Sequence, residues 1–447
     1  MRVIIIGAGT GGLALAHGLQ RAGVGCAVYE RDRTRGGGLQ GYRVGIDHDG
    51  SRALSQLLPP GLFATFAATC ARTPDRFNMF TEKYKEVLSL DGFARVSADR
   101  AGAERSVSRM TLRQVLLTGL EDLVHFDKVF TRYENNPDGT VTAHFEDGTT
   151  ATGDVLVGAD GSQSPVRRQY LPHAELKDAG ITAVAGKVPL TAETRALLTD
   201  RTIDGVNLFF APGGYSLILH VMQFPWDQDG APKSGIGASD ADLIKNWPGL
   251  QYDNTRDYIM LGLSGARQNL PADVMARDGH QLKDLMRELM RTWDPRLRAL
   301  AGLVDPSTCF PIRIRTSVPI DPWPAGNITL IGDAIHTMTP GRGVGANTAL
   351  RDAVLLCRNL TAARDGRMPL VSAVRDYEAQ MIDYGFDAVR KSLAQMSGDD
   401  PIHKPVIGRA VLAAMRTGMR VVNHLPPVKR KMAASQQAYR GQDREER

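Results

Sequence analysis

Residues 2–12, RVIIIGAGTGG, constrain the fold more than any other stretch of the chain. An unbroken β-branched run reads as a strand buried on both faces, the kind found in parallel sheets. Gly7 to Gly12 break the run, and Leu13, Ala16 and Leu19 continue at helical spacing. A second apolar run, GCAVYE at 25–30, predicts another strand. Strand, glycine turn, helix and strand within about 30 residues make a βαβ unit. Its turn, Gly7-Ala8-Gly9-Thr10-Gly11-Gly12, is a GxGxxG. Gly7 permits the tight turn, Gly9 lets backbone approach a pyrophosphate, and Gly12 lets helix pack on strand. The pyrophosphate would meet free N–H groups and the positive end of the helix. Glu30 closes the second strand, where a carboxylate accepts from the adenosine ribose hydroxyls. Together these residues predict a bound dinucleotide and do not separate NAD from FAD.

The 447 residues suggest two to three domain-sized units, at roughly 150 residues each. A hydrophobic share of 43% and a charged share of 23% exclude wholesale disorder. The net charge of +5 comes from scattered Lys and Arg without interleaved aromatics, so nucleic acid is not the expected partner. An anionic small molecule or cofactor suits that balance equally well. Cys26, Cys70, Cys309 and Cys357 lie far apart without a CxxC, so neither a metal site nor a disulfide framework is expected. The first residues resemble a signal-peptide charge and apolar core, but five glycines between Gly7 and Gly18 interrupt them. No membrane span and a cytoplasmic location are expected.

Farther along, a helix is predicted over 49–58, stopped by Pro59-Pro60, and another over 109–124. Short strands follow at 140–146 and 154–158, with an Asp147-Gly148 turn. From about 180 to 315 the runs alternate as in an antiparallel sheet with one face available to a ligand. There, period-2 spacing puts His220 and Met222 on one face and Leu219 and Val221 on the other. Residues 326–331 return to a buried-strand pattern, and a helix begins near Gly345. Lys429 to Arg447 carry no apolar stripe and are expected to fray.

Two further motifs, LVGADGSQSPVR at 156–167 and LIGDAIHTMTPGRGVGANTALRDA at 330–353, follow the glycine motif in order. Together the three resemble the class A flavoprotein monooxygenases, the para-hydroxybenzoate hydroxylase-like FAD-dependent aromatic hydroxylases. The resemblance implies an α/β fold: a Rossmann-like FAD-binding domain, an inserted antiparallel-sheet substrate domain, and C-terminal helices. The expected division is interleaved. FAD-binding parts fall at 1–75, 106–180 and 316–385, substrate parts at 76–105 and 181–315, and C-terminal helices with a polar tail at 386–447.

The resemblance also implies residue roles. Asp333 would accept hydrogen bonds from the ribityl and ribose region of FAD. Pro340 and the turn Gly343-Val344-Gly345-Ala346-Asn347 would lie against the isoalloxazine ring. A helix N-terminus near Gly345 would face the negative charge of reduced flavin, which is physically apt in any case. Asp160 and Gly161 match an element that the family associates with FAD and NADPH pyrophosphate, and Arg109 matches an arginine that contacts FAD. Arg43 and Val129 join this cofactor set, and Arg31 is placed to meet the nicotinamide cofactor's phosphate. Phe210, His220 and Met222 are the expected substrate-pocket residues. His336 is expected to be structural, with no acidic partner at useful spacing, and no side chain is assigned a catalytic acid–base role.

The implied activity uses FAD, NADPH (or NADH) and O2 to move one oxygen atom from a flavin C4a-hydroperoxide to a small electron-rich substrate. Hydroxylation or epoxidation of an aromatic or polyene natural product is the expected outcome. Only one GxGxxG is present, so the nicotinamide cofactor is expected to bind transiently. The same scaffold also serves FAD-dependent dehydrogenases and reductases, which remain the alternative. A flavin-carrying binding protein, without substrate-stimulated NADPH oxidation, is a further reading. Trp226, Trp247, Trp293 and Trp323 are isolated, which disfavours a halogenase.

Overall fold

A computed structural model of the chain describes residues 1–35, 43–92, 101–225 and 257–439. The glycine run Gly36 to Gly41, Trp226 and Trp247 lie outside the described residues.

The strand Arg2–Ile6 sits at the centre of a five-stranded parallel sheet. Its spatial order is Ile328–Leu330, Val155–Gly158, Arg2–Ile6, Gly25–Tyr29, Val124–His125. Helices cover both faces, which is why Val3, Ile4 and Ile5 are fully buried and the run shows no alternation. Burying each such side chain contributes about 1.5–3 kcal/mol. The helix Thr10–Arg21 follows the glycine turn and packs on the helix Gly345–Arg364, so elements more than 300 residues apart share this core. A three-stranded antiparallel meander, Phe130–Asn135, Val141–Phe145 and Thr150–Gly153, leads into the Val155–Gly158 strand.

The second layer is a seven-stranded sheet. Its order is Phe310–Ser317, Leu176–Pro189, Tyr258–Ala266, Ser216–Met222, Gly205–Phe210, Arg76–Thr81, Glu86–Asp91. All pairs are antiparallel except Gly205–Phe210 with Arg76–Thr81, which run parallel. The back face, with Leu217, Leu219, Val221, Ile259 and Leu261, is covered by the helices Gly279–Leu289 and Pro295–Gly302. A two-stranded ladder, Arg43–Ile46 with Arg105–Ser108, bears on the opposite face through Ser106, which contacts His220 and Met222. Strands of the two sheets therefore alternate along the chain.

Two local expectations need correction. The helix begun at Arg109 ends at Leu117, not near residue 124. Gly119 takes φ of +83°, a left-handed conformation that stops a helix, and Val124–His125 becomes the edge strand of the parallel sheet. Lys429 to Tyr439 do not fray: they belong to the helix Pro426–Tyr439. Met432 of that helix joins Met419 and Val422 in packing on Met79, Leu88 and Leu90 of the seven-stranded sheet. Among the described residues no helix is long and apolar enough to cross a membrane, and no cluster of His, Cys, Asp and Glu could hold a metal ion.

Candidate cofactor and substrate site

The glycine turn is shaped by close approach. A methyl group at Gly7 would lie 2.4 Å from the Ala159 carbonyl oxygen, and one at Gly12 would lie 2.3 Å from that of Gly7. At Gly9 the nearest atom would be 3.9 Å away, so that side stays open. The helix that follows has no side-chain cap and no acidic residue in its first turn. Its first N–H groups are thus left for an anion. Glu30 is held at the strand end: Ala8 N donates to one carboxylate oxygen at 2.6 Å and Asp32 N to the other at 3.0 Å. A carboxylate offers about four acceptor sites, so capacity for a ribose hydroxyl remains.

Gly7, Gly9, Thr10, Glu30, Arg31, Arg109, Val129, Asp160 and Gly161 all line one cavity of about 600 Å³. Gly11 and Gly12 are buried behind it in the helix. The cavity also takes in Arg113, Lys128 and Arg168, which the sequence reading missed. Arg113 stands four residues beyond Arg109, on the same helix face, and that spacing was the available signal. It pairs with Asp32 at 2.9 Å and with Glu30 at 3.9 Å. Arg35 instead turns onto Gln114, Thr118 and Glu121.

Asp160 is the clearest sign that a polar group belongs here. One oxygen accepts from Val166 N at 3.2 Å, while the other is buried with no hydrogen-bond partner. Burial pushes its carboxyl above the ordinary range, against the pull of Ser164, Val166 and Arg167. Gly161 beside it has φ of +76° and no atom within 4 Å of an added methyl. Arg167 ties this motif to the third one, donating to Ser162 O at 2.9 Å and to Ala334 O at 2.7 Å.

Asp333 opens the short helical turn Asp333–His336, after Gly332 at φ of +61°. The turn lies deep in the molecule, yet the Asp333 side chain is open to the space in front of it. Burial raises its carboxyl, while His336 and Arg109 draw it down. Pro340 starts the turn Pro340–Arg342, and Gly343 follows at φ of +65°. The 20-residue helix Gly345–Arg364 then begins with no side-chain cap and no acid in its first turn. Ala346 lies in that first turn. The Asn347 side chain is spent locally, accepting from Asp47 N at 3.1 Å and donating to Gly45 O at 3.0 Å. These residues suit FAD in kind: an open glycine cradle, an orphaned carboxylate oxygen and two uncapped helix starts.

Behind this turn His336 does have an acidic partner. Its Nε2 lies 2.7 Å from Asp352 Oδ2, and both side chains are fully buried. The same oxygen accepts from Gly332 N at 2.7 Å, and the other accepts from the Tyr384 hydroxyl at 2.5 Å. Burial works against the imidazolium, but Asp352 outweighs it and the His336 pKa is raised.

On the substrate side, His220 is buried, and burial with nearby Arg43 holds its pKa well below 6.5. A neutral ring fits the bonds around it. Nδ1 donates to Gly205 O at 3.3 Å and Nε2 accepts from Ser106 Oγ at 3.2 Å, while Arg43 Nε donates to Ser106 Oγ at 2.5 Å. Arg43 is thereby brought to the substrate sheet and not to the 600 Å³ cavity. Met222 shares the His220 face, with Tyr258, Met260 and Phe224 beside it. Phe210, expected as a pocket wall, instead joins Met419, Val422 and Met432 in the layer packed on Met79 and Leu88.

Comparison with known proteins agrees with this layout. A family model described as FAD binding domain matches residues 1–234 and 284–380. A dual O-methyltransferase/FAD-dependent monooxygenase of Phaeosphaeria nodorum is 32% identical over 79% of this chain. The chain spans only 39% of that relative's length. Among solved structures, a Photorhabdus luminescens protein assigned as an FAD-containing monooxygenase superposes with a TM-score of 0.75. It is 32% identical, over 89% of this chain and 98% of that one. Klebsiella pneumoniae HpxO, solved with FAD and uric acid, gives a TM-score of 0.72 at 25% identity, over 96% of each chain.

Proposed function

The chain belongs to the FAD-binding flavoprotein monooxygenases of the class A hydroxylase family, and we propose that it inserts one oxygen atom from O2 into an electron-rich organic substrate. The overall balance is substrate, O2, NAD(P)H and a proton giving hydroxylated or epoxidised substrate, water and NAD(P)+. The observation that carries this reading is one polar cavity lined by the first two motifs, with the third tied to it by the Arg167 bond to Ala334 O and by Arg109 acting on Asp333.

Bound FAD would supply the redox chemistry, taking electrons from the nicotinamide cofactor and delivering them to O2. The chain's own residues bind, orient and exclude water. Gly9, Thr10 and Glu30 would hold the adenosine half, and Arg109, Asp160, Gly161 and Asp333 the groups between the two ends. Backbone N–H groups at the start of the Gly345–Arg364 helix would meet negative charge developing on the ring, with Pro340 and Gly343 beside them. Exposed Arg31, on the cavity rim, is suited to attract the phosphates of a transient nicotinamide cofactor. Met222, Met260, Phe224 and Tyr258 form a buried apolar cluster on the substrate sheet, which would help keep water from the reacting centre. Neutral His220, locked by two hydrogen bonds, adds no charge to that cluster. Aromatic or polyene natural products match such a surface, and HpxO's uric acid is likewise a flat ring. Burial lifts the thiols of Cys26, Cys309 and Cys357 to about 11 and that of Cys70 to about 12.

The test is a panel of phenols, polyketides and terpenoids with the FAD-loaded protein. NADPH oxidation, O2 uptake and a product heavier by one oxygen should rise together with one substrate class. NADPH oxidation without O2 uptake would select a dehydrogenase or reductase instead. A purified chain that neither carries nor takes up flavin would overturn the reading altogether.

A further inference from the structure

The helix Ile407–Asn423 is apolar on two sides. Leu412, Met419 and Val422 turn inward, the last two onto the cluster of Met79, Leu88 and Leu90. Arg416 fastens the same side through Glu82 and the Phe210 carbonyl. The outward side carries Ile407, Ala410, Val411, Ala414 and Val421, spaced i, i+3, i+4, i+7 and i+14, so they form one stripe. Eleven large hydrophobic side chains are exposed among the described residues, and five of them fall between Val406 and Val428. Val406, Ile407 and Val421, at 83%, 54% and 56%, are the most exposed of all.

The charge around this stripe is one-sided. Between Pro401 and Tyr439 the chain holds seven Lys and Arg and not one Asp or Glu. Arg416 is neutralised by Glu82, but Lys404, Arg409, Arg420, Arg430 and Lys431 are exposed. A surface that leaves apolar side chains in water among exposed cations suits a partner that supplies both complements. We infer that this face docks on an anionic lipid membrane, with the helix lying in the headgroup plane.

Acyl chains receive Ile407 and Val421, and anionic headgroups receive the arginines and lysines. At 17 residues the helix is about 25 Å long, short of the ~30 Å hydrocarbon core, which suits a surface position and not a crossing. A second copy of the chain is the less favourable occupant. It would bring Arg409 and Arg420 against the same cations of the other copy, in a stretch that holds seven Lys and Arg and no Asp or Glu.

Co-sedimentation of the whole FAD-loaded 447-residue chain with vesicles tests this directly. Phosphatidylcholine vesicles containing about 30% phosphatidylglycerol should bind the protein at least about tenfold better than phosphatidylcholine alone. Ile407→Asp/Val421→Asp and Arg409→Glu/Arg420→Glu should each lower that binding about tenfold or more. These side chains are exposed, so thermal midpoint and flavin content should match wild type and separate lost docking from lost fold. No binding to anionic vesicles, equal binding to both compositions, or full binding by both variants would overturn the proposal. So would lipid-free dimerisation, read by light scattering, that Val421→Asp abolishes.

Discussion

Asp352 shows how much one buried residue can hold. It receives the Gly332 N–H, the Tyr384 hydroxyl and the His336 ring, and so fixes the φ-positive turn that presents Asp333. Asp352→Ala would leave three buried partners unmet. Removing one member of a buried charged pair costs about 3–5 kcal/mol. We expect a lowered denaturant midpoint of that order together with reduced flavin retention. A variant as stable as wild type, with full flavin content, would show that the turn holds without it. Nothing in the spacing announced this pair, because Asp352 lies 16 residues beyond His336 on a different helix and they meet only when that helix packs. By contrast Gly12 and Glu30 were readable, since Gly7 O and Ala8 N constrain them within a single βαβ unit.

At the level of elements, the Thr10–Arg21 helix carries a pH dependence of its own. His17 is buried in it, and its Nε2–H donates to Leu116 O at 2.9 Å, so the ring is neutral. Burial lowers its pKa from 6.5 to about 4. The folded state therefore binds this proton less readily than the unfolded chain. Stability is full above pH 6.5 and falls as the pH drops through 6.5 to 4, by about 3 kcal/mol at 1.36 kcal/mol per unit. His17→Gln can still donate to Leu116 but does not titrate. Urea unfolding at pH 7 and pH 4 should show the wild type losing about 3 kcal/mol more than the variant, and equal losses would refute the assignment. Element type was legible where the pattern was strong, as in the unbroken β-branched run of Arg2–Ile6. Ends and weak amphipaths were not. Apolar spacing continues past Leu117, but Gly119 turns the chain, and Pro426–Tyr439 is helical because Met432 has a sheet to dock on.

Across the whole molecule, the candidate cofactor site draws on residues from Gly7 to Gly345, so a bound dinucleotide would brace segments that meet nowhere along the chain. Saturating FAD at about 100 times its dissociation constant should stabilise the fold by about 2.7 kcal/mol and raise the thermal midpoint. Asp333→Ala should bind FAD more weakly and show a smaller rise at the same FAD concentration, and an equal rise would remove Asp333 from the site. Local chemistry was enough to establish an α/β chain with a dinucleotide turn, because strand burial, glycine geometry and helix starts depend on near neighbours. Long-range packing settled the rest. It paired His336 with Asp352, carried Arg43 to Ser106, and placed Phe210 beneath the C-terminal helices. It also left one face of the Ile407–Asn423 helix exposed, since which apolar residues find partners depends on surfaces that exist only once the sheets have formed.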